Sequence, residues 1–183
     1  MSKSTFSFGE MNPEGTFKIV DERVWRASAG IMLFLGIIAA INAFILQRYI
    51  VVPFVSGFLM INFIIGIFIN PKFSPTYVLG KIATYDQSPL PIGAIQKKFA
   101  WSLGLGLSSI IFILSFFLLK DANYFQPVCF LCMICILLLY LETAFGICVG
   151  CKLYYFFINI GWLRKPEITP NCMGDSCEID PKK

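Results

Sequence analysis

The fold is decided by the stretch ASAGIMLFLGIIAAINAFILQRYIVVPFVSGFLMINFIIGIFI, residues 27–69. It holds two apolar runs, 27–46 and 49–69, which are separated only by Gln47 and Arg48. A helix of ~20 residues crosses the hydrocarbon core of a bilayer, and a helix is required because lipid cannot satisfy unpaired backbone groups. The stretch therefore predicts two spanning helices joined by a tight hairpin.

Two further apolar runs, residues 99–119 and 127–147, are also long enough to span. The composition agrees, since 57% of the 183 residues are hydrophobic and 14% are charged, against ~25% charged in soluble domains. We predict an all-α fold, a polytopic transmembrane bundle of four spanning helices in residues 27–163. A polar N-terminal segment, 1–26, precedes it, and a polar cysteine-containing tail, 164–183, follows it.

The first 26 residues contain no apolar core of a secretory signal, so the first run is expected to stay in the protein as a helix.

The connection between the second and third runs, residues 70–98, contains four prolines and cannot form one continuous helix. We expect a structured loop with a short amphipathic helix near residues 76–84. The loop is either a connector held against the membrane face or a substrate-binding loop. A last aromatic run, 153–163, is too short to span and is expected to lie at the membrane surface or to prolong the fourth helix.

Basic residues are distributed unequally between the two ends of the predicted bundle. One side carries Lys18, Arg23, Arg26, Lys72, Lys81, Lys97, Lys98, Lys152, Arg164 and Lys165, and the other carries Arg48 and Lys120. The positive-inside rule predicts that the first side is cytoplasmic. Both termini and the 70–98 loop are therefore expected on the cytoplasmic side. Membrane orientation thus accounts for the net charge of +4, and no nucleic-acid partner is predicted; the partner of the apolar surface is the lipid bilayer.

The chain has seven cysteines and no histidine, which excludes histidine-based catalytic triads and histidine-ligated haem. Cys148 and Cys151 form a Cys-x-x-Cys pair, the usual arrangement of a dithiol that exchanges with disulfides. They are our first candidate catalytic residues. A weaker second group, Cys129, Cys132 and Cys135, repeats every three residues in the fourth run. Both groups could instead be packing residues, because cysteine is readily buried.

Two considerations count against a simple relay between these groups. Cys148 lies near the expected C-terminus of the fourth helix, where the partial negative charge disfavours a thiolate. Cys135 and Cys148 are thirteen residues apart, ~20 Å along a helix, so electrons could pass only through a partner, a diffusing sulfur species or a quinone.

The same cysteines fit a second chemistry. Cys148 and Cys151, followed by Cys172 and Cys177 in the tail, resemble the paired spacing of a four-thiolate zinc site. Zinc is therefore the one metal cofactor that the sequence suggests. On this alternative the protein is a non-catalytic membrane scaffold or assembly component.

Glu142 is a carboxylate within the fourth run, where charge is costly unless the side chain faces the bundle interior. It is either a proton acceptor near the membrane thiols or an interhelical contact to Asn42, Asn62 or a backbone carbonyl.

Four segments carry a resemblance: VDERVWRASAG (20–30), FSPTYVLGK (73–81), QSPLPIGAIQKKFAWSLGLGL (87–107) and LETAFGICVGCKLYY (141–155). Together they resemble a bacterial family of four-helix membrane proteins classed as a domain of unknown function, with a C-terminal Phe-x-x-Cys-x-Gly-Cys motif. The resemblance implies a bacterial inner-membrane protein, and thioredoxin-like or sulfurtransferase partners.

Overall fold

The four predicted spans are all present. The structure, a computed structural model, describes residues 8–11 and 18–162. Four of its helices are long and apolar enough to cross a membrane: Glu22–Phe44, Val51–Ile69, Ala94–Leu118 and Ala122–Phe145. The all-α, polytopic fold class is therefore confirmed.

The helices follow in a simple order along the chain. They are α1 (Glu22–Phe44), α2 (Val51–Ile64, extended by a π-helical turn Ile65–Ile69), α3 (Pro75–Ala83), α4 (Ala94–Leu118), α5 (Phe125–Phe145) and α6 (Val149–Asn159), with 3-10 turns at Pro71–Phe73 and Ala122–Tyr124. The predicted amphipathic helix in the 70–98 loop is α3. The aromatic run after the fourth span lies largely in a separate helix, α6, and does not prolong α5.

Two spanning helices begin five residues before their apolar runs. α1 starts at Glu22 and α4 at Ala94, whereas we predicted 27 and 99. Asp21 caps α1, its side chain accepting a hydrogen bond from the Arg23 N–H at 3.1 Å, as short acidic residues at N-caps do. Each helix thus adds a charged turn beyond the apolar run, which hydropathy alone does not detect.

A small antiparallel sheet was not predicted. Its strands are β1 (Glu10–Met11), β2 (Lys18–Asp21) and β3 (Pro91–Gly93), in the order β1-β2-β3. Val20 pairs with Ile92, so the segment before α1 is joined to the segment before α4. These strands are too short to give an alternating pattern that the sequence would reveal.

The bundle has two distinct ends. The α3 end holds the sheet, α3, α6, the starts of α1 and α4 and the end of α5; the hairpin end holds the α1–α2 turn and the Ala122–Tyr124 turn. The core at the α3 end is aromatic, because the buried Trp25 ring contacts those of Phe8, Tyr77 and Trp101. This core joins α1, α3 and α4 beneath the sheet.

A buried polar network attaches α3 to the spanning helices. The Asn62 Oδ1 atom of α2 accepts hydrogen bonds from Ser74 Oγ at 2.7 Å and from Thr76 N and Oγ1, both at 3.0 Å. Ser28 of α1 donates to Thr76 Oγ1 at 2.8 Å, and all four side chains are fully buried. Asn62 thus satisfies a free N–H at the start of α3, which holds that helix against α1 and α2.

We expect Asn62→Leu to lower the free energy of unfolding by about 3 kcal/mol, because it leaves buried donors of Ser74 and Thr76 unsatisfied at about 1–3 kcal/mol each. Asn42→Leu is the matched control, since among residues 8–11 and 18–162 the Asn42 amide donates only to the Ile38 carbonyl of its own helix. Denaturation in mixed micelles measures both. Equal effects of the two variants would show that the network contributes nothing specific.

Candidate dithiol site

The site begins where α5 ends. Gly146 adopts a left-handed conformation with φ of 67°, which suits glycine at a helix C-terminus. Its N–H donates to the Glu142 carbonyl at 3.1 Å, and the Ile147 N–H donates to the Leu141 carbonyl at 3.1 Å. The fourth spanning helix therefore stops at Phe145, and a new helix starts at Val149.

Cys148 lies at the start of α6. It is the N-cap residue in an extended conformation, and its Sγ accepts a hydrogen bond from the Cys151 N–H at 3.3 Å. Our expectation that Cys148 would lie at a helix C-terminus was therefore wrong. The partial positive charge of a helix N-terminus favours a thiolate, so the local field supports activation of Cys148.

The two thiols of the pair differ in exposure. Cys148 is half-buried, whereas Cys151, in the first turn of α6, is buried. Their Cα atoms are 5.2 Å apart and their sulfur atoms lie at disulfide-bonding distance. The pair therefore joins a half-buried cysteine to a buried one, with their sulfur atoms at bonding distance.

Helix α4 forms the support for this turn. A side chain at Gly150 would meet the Cα atom of Ala100 at 2.7 Å, so glycine allows the two helices to touch. Further along α6, the Tyr155 hydroxyl accepts a hydrogen bond from the Gln96 side chain. The Tyr154 ring lies 5.5 Å from that of Phe99, and burial raises the pKa of Tyr154. α6 is thus fixed on α4 by neutral contacts.

Glu142 forms an ion pair that the sequence analysis missed. Its Oε1 atom lies 2.7 Å from Lys97 Nζ of α4, and the lysine side chain is only 5% exposed. The expected partners, Asn42 and Asn62, are engaged elsewhere, in α1 and at the start of α3. The sequence did contain a signal for this pair. Glu142 lies in the last turn of α5 and Lys97 in the first turns of its antiparallel neighbour α4, so the two residues lie at the same depth.

A second ion pair borders the turn from the side of α1. Arg26 Nη2 donates to Glu22 Oε1 at 2.9 Å. The guanidinium also lies directly over Gly146, where an added Cβ would meet Nη2 at 2.1 Å. Arg26 was predicted only as an orientation signal, yet it contacts the turn that carries Cys148.

The second cysteine group lies away from this pair. Cys129, Cys132 and Cys135 are in the first half of α5, and ten residues of helix, ~15 Å, separate Cys135 from Phe145. Cys132 and Cys135 are partly buried against a cluster of Ala43, Val52, Ile111, Leu118 and Val128. The structure therefore does not bring the two groups together.

The four-cysteine zinc site stays a prediction. Cys172 and Cys177 lie outside the described residues. Within residues 8–11 and 18–162, no three metal-binding side chains cluster closely enough to hold an ion.

A cavity of about 380 Å³ opens elsewhere at the α3 end, between the sheet, α3 and the start of α1. It is lined in part by residues of the 70–98 connection, including Lys72, Tyr77 and Lys81. Burial, with the charges of Asp21 and Glu10, raises the pKa of Tyr77 to about 12. The connection therefore forms a concave surface, but neither Cys148 nor Cys151 lines it.

The chain belongs to the family described as Domain of unknown function (DUF4395), whose match covers residues 20–159. The resemblance to a domain of unknown function is thereby confirmed. No curated protein and no solved structure matches the chain.

Proposed function

We propose that this member of the family exchanges thiols and disulfides through Cys148 and Cys151. One observation carries the proposal: Cys148 caps the N-terminus of α6 while Cys151 lies buried in its first turn, at disulfide-bonding distance. Dithiols that exchange with disulfides use this asymmetry, because an accessible thiolate attacks first and a second thiol resolves the product.

The reaction is a balanced two-electron exchange. In the reduced form, the Cys148 thiolate attacks a substrate disulfide, forming a mixed disulfide and releasing one substrate thiolate. The Cys151 thiol then loses its proton and attacks Cys148, so the second substrate thiolate leaves and the protein disulfide forms. The reverse sequence oxidises two substrate thiols. Sulfur transfer is a variant of this exchange: the Cys148 thiolate attacks the outer sulfur of a persulfide on a sulfurtransferase, the sulfur–sulfur bond of that persulfide breaks, and the donor cysteine leaves as a thiolate.

We place the site at the cytoplasmic face of a bacterial inner membrane, with both termini on that side. The proposal rests on the charges of the described residues, since eight lysines and arginines lie at the α3 end and Arg48 and Lys120 at the hairpin end. A thioredoxin-like or sulfurtransferase protein in the cytoplasm is the partner we propose, because α6 presents Cys148 beyond the end of the fourth span.

The test is labelling with a membrane-impermeant maleimide. The protein retains Cys148 and Cys151, the other five cysteines are replaced by serine, and the label is added to intact cells and to lysed membranes, before and after mild reduction. We expect labelling only after lysis and only after reduction. A matched protein that retains Cys129 and Cys132 instead controls for reagent access.

The outcomes separate the alternatives. Labelling in intact cells would show that the site faces the opposite side of the membrane, and the exchange function would still stand. Full labelling without reduction, or none in detergent after reduction, would contradict a working dithiol and favour a non-catalytic scaffold. Zinc that co-purifies in proportion to the protein with all seven cysteines, and is lost when Cys172 and Cys177 are replaced by serine, would favour the four-cysteine metal site instead.

A further inference from the structure

Basic side chains predominate around Cys148 and Cys151. Their charges affect which thiols react with the pair. Arg26 lies over Gly146, two residues before Cys148, and Lys152 follows Cys151 directly. Between Gly146 and Trp162 the sequence contains no acidic residue. The two nearby carboxylates, Glu22 and Glu142, are each paired with a cation.

Arg26 retains unused binding capacity. Within the described part of the chain its guanidinium makes a single hydrogen bond, from Nη2 to Glu22, and its side chain is 45% exposed. The remaining N–H donors form a fork that suits a carboxylate or sulfonate.

Lys152 adds a second positive charge on the same turn. Its backbone N–H donates to the Cys148 carbonyl at 3.1 Å, so Lys152 lies one helical turn from the half-buried Cys148, and Lys152 is exposed. No ion pair joins Lys152 to any residue in 8–11 or 18–162. Tyr154 of α6 supplies no opposing charge, since burial raises the pKa of its hydroxyl.

We infer that Arg26 and Lys152 make the dithiol selective for anionic thiols, those that carry a carboxylate or sulfonate near the sulfur. The inference rests on the proposed exchange function and names its substrate class. In the step concerned, an anionic thiolate attacks Cys148 Sγ, the bond between Cys148 and Cys151 breaks, and Cys151 leaves as a thiolate. A second thiolate then attacks the sulfur of the bound thiol, Cys148 leaves as a thiolate, and the two substrate thiols are released as their disulfide. Positive charge beside the sulfur raises the local concentration of such anions.

The test compares three small thiols that differ in charge: 2-mercaptoethanesulfonate, 2-mercaptoethanol and cysteamine. Each reduces the disulfide of detergent-solubilised protein that retains Cys148 and Cys151, and a maleimide captures the released thiols. The rate for each thiol is divided by the rate at which the same thiol reduces hydroxyethyl disulfide. This removes differences between the thiols in thiolate fraction and nucleophilicity. We expect the sulfonate to react about fivefold faster than the amine, and about 0.5 M salt to reduce this ratio strongly.

Variants assign the preference to residues. Lys152→Gln should lower the ratio of sulfonate to amine about twofold, whereas Lys120→Gln, the same change at the hairpin end, should leave it unaltered. Arg26→Gln is made with Glu22→Gln, so that no buried carboxylate is left unpaired, and should also lower the ratio. Equal rates for the three thiols would overturn the inference alone, and no reduction by any of them would overturn the exchange function as well.

Discussion

Cys151→Ser should trap a mixed disulfide on Cys148, with a lifetime on the order of 10³-fold longer than in the native protein. The sulfur atom of Cys151 lies at bonding distance from that of Cys148, with 5.2 Å between their Cα atoms. It can therefore displace a bound thiol in an intramolecular reaction, and such reactions have high effective molarities. A serine hydroxyl cannot attack the disulfide, so the intermediate stays.

An aromatic disulfide that releases a coloured thiolate measures this directly. The reduced native pair should release two equivalents of thiolate, the second as Cys151 closes the protein disulfide. Cys151→Ser should release one and retain the other as an adduct on Cys148, visible by mass.

The controls are made in protein that lacks the other five cysteines. Cys148→Ser should react slowly and form little adduct, because the remaining Cys151 is buried. If Cys148→Ser instead reacts as fast as Cys151→Ser, the roles of the two thiols are not distinct, and the assignment of Cys148 as the attacking residue is wrong.

The spans were predictable from the sequence because ~20 consecutive apolar residues have few alternatives to a membrane helix. α3 was predictable because prolines bound it on both sides. The sheet was not, since Val20 and Ile92 pair although they are 72 positions apart in the sequence, and each strand holds four residues or fewer. Short strands depend on partners that only the folded chain brings near.

The sequence predicted which cysteines form the candidate site, but it did not predict how the helices place them. Cysteine spacing identified Cys148 and Cys151, but the position of Gly146 decides whether Cys148 ends one helix or begins another. Flanking glycines are compatible with both. Because Gly146 is left-handed and ends α5, Cys148 lies at the N-terminus of the next helix. The partial charge of a helix N-terminus is positive and that of a C-terminus negative, so the first favours a Cys148 thiolate and the second disfavours it.

The ion pair between Lys97 and Glu142 should be about as costly to break as the Asn62 network at the same end of the bundle. Lys97→Met leaves a carboxylate that is 20% exposed without its partner, and we expect the free energy of unfolding to fall by about 3 kcal/mol. Lys98→Met removes the same charge from the next position of α4, where the side chain is exposed, and should cost less than about 1 kcal/mol. Denaturation in mixed micelles compares them.

The double variant Lys97→Met with Glu142→Leu decides what the pair does. Buried ion pairs are often replaceable by apolar residues without loss of stability, so we expect the double variant to recover to within about 1 kcal/mol of the native protein. The Gly146 N–H would keep its acceptor, since that is the backbone carbonyl of residue 142. The turn that carries Cys148 should therefore persist, and disulfide formation between Cys148 and Cys151 should stay unchanged. If stability recovers while thiol exchange is lost, the pair acts on the dithiol itself; if neither recovers, the contact between α4 and α5 needs both charges to fold.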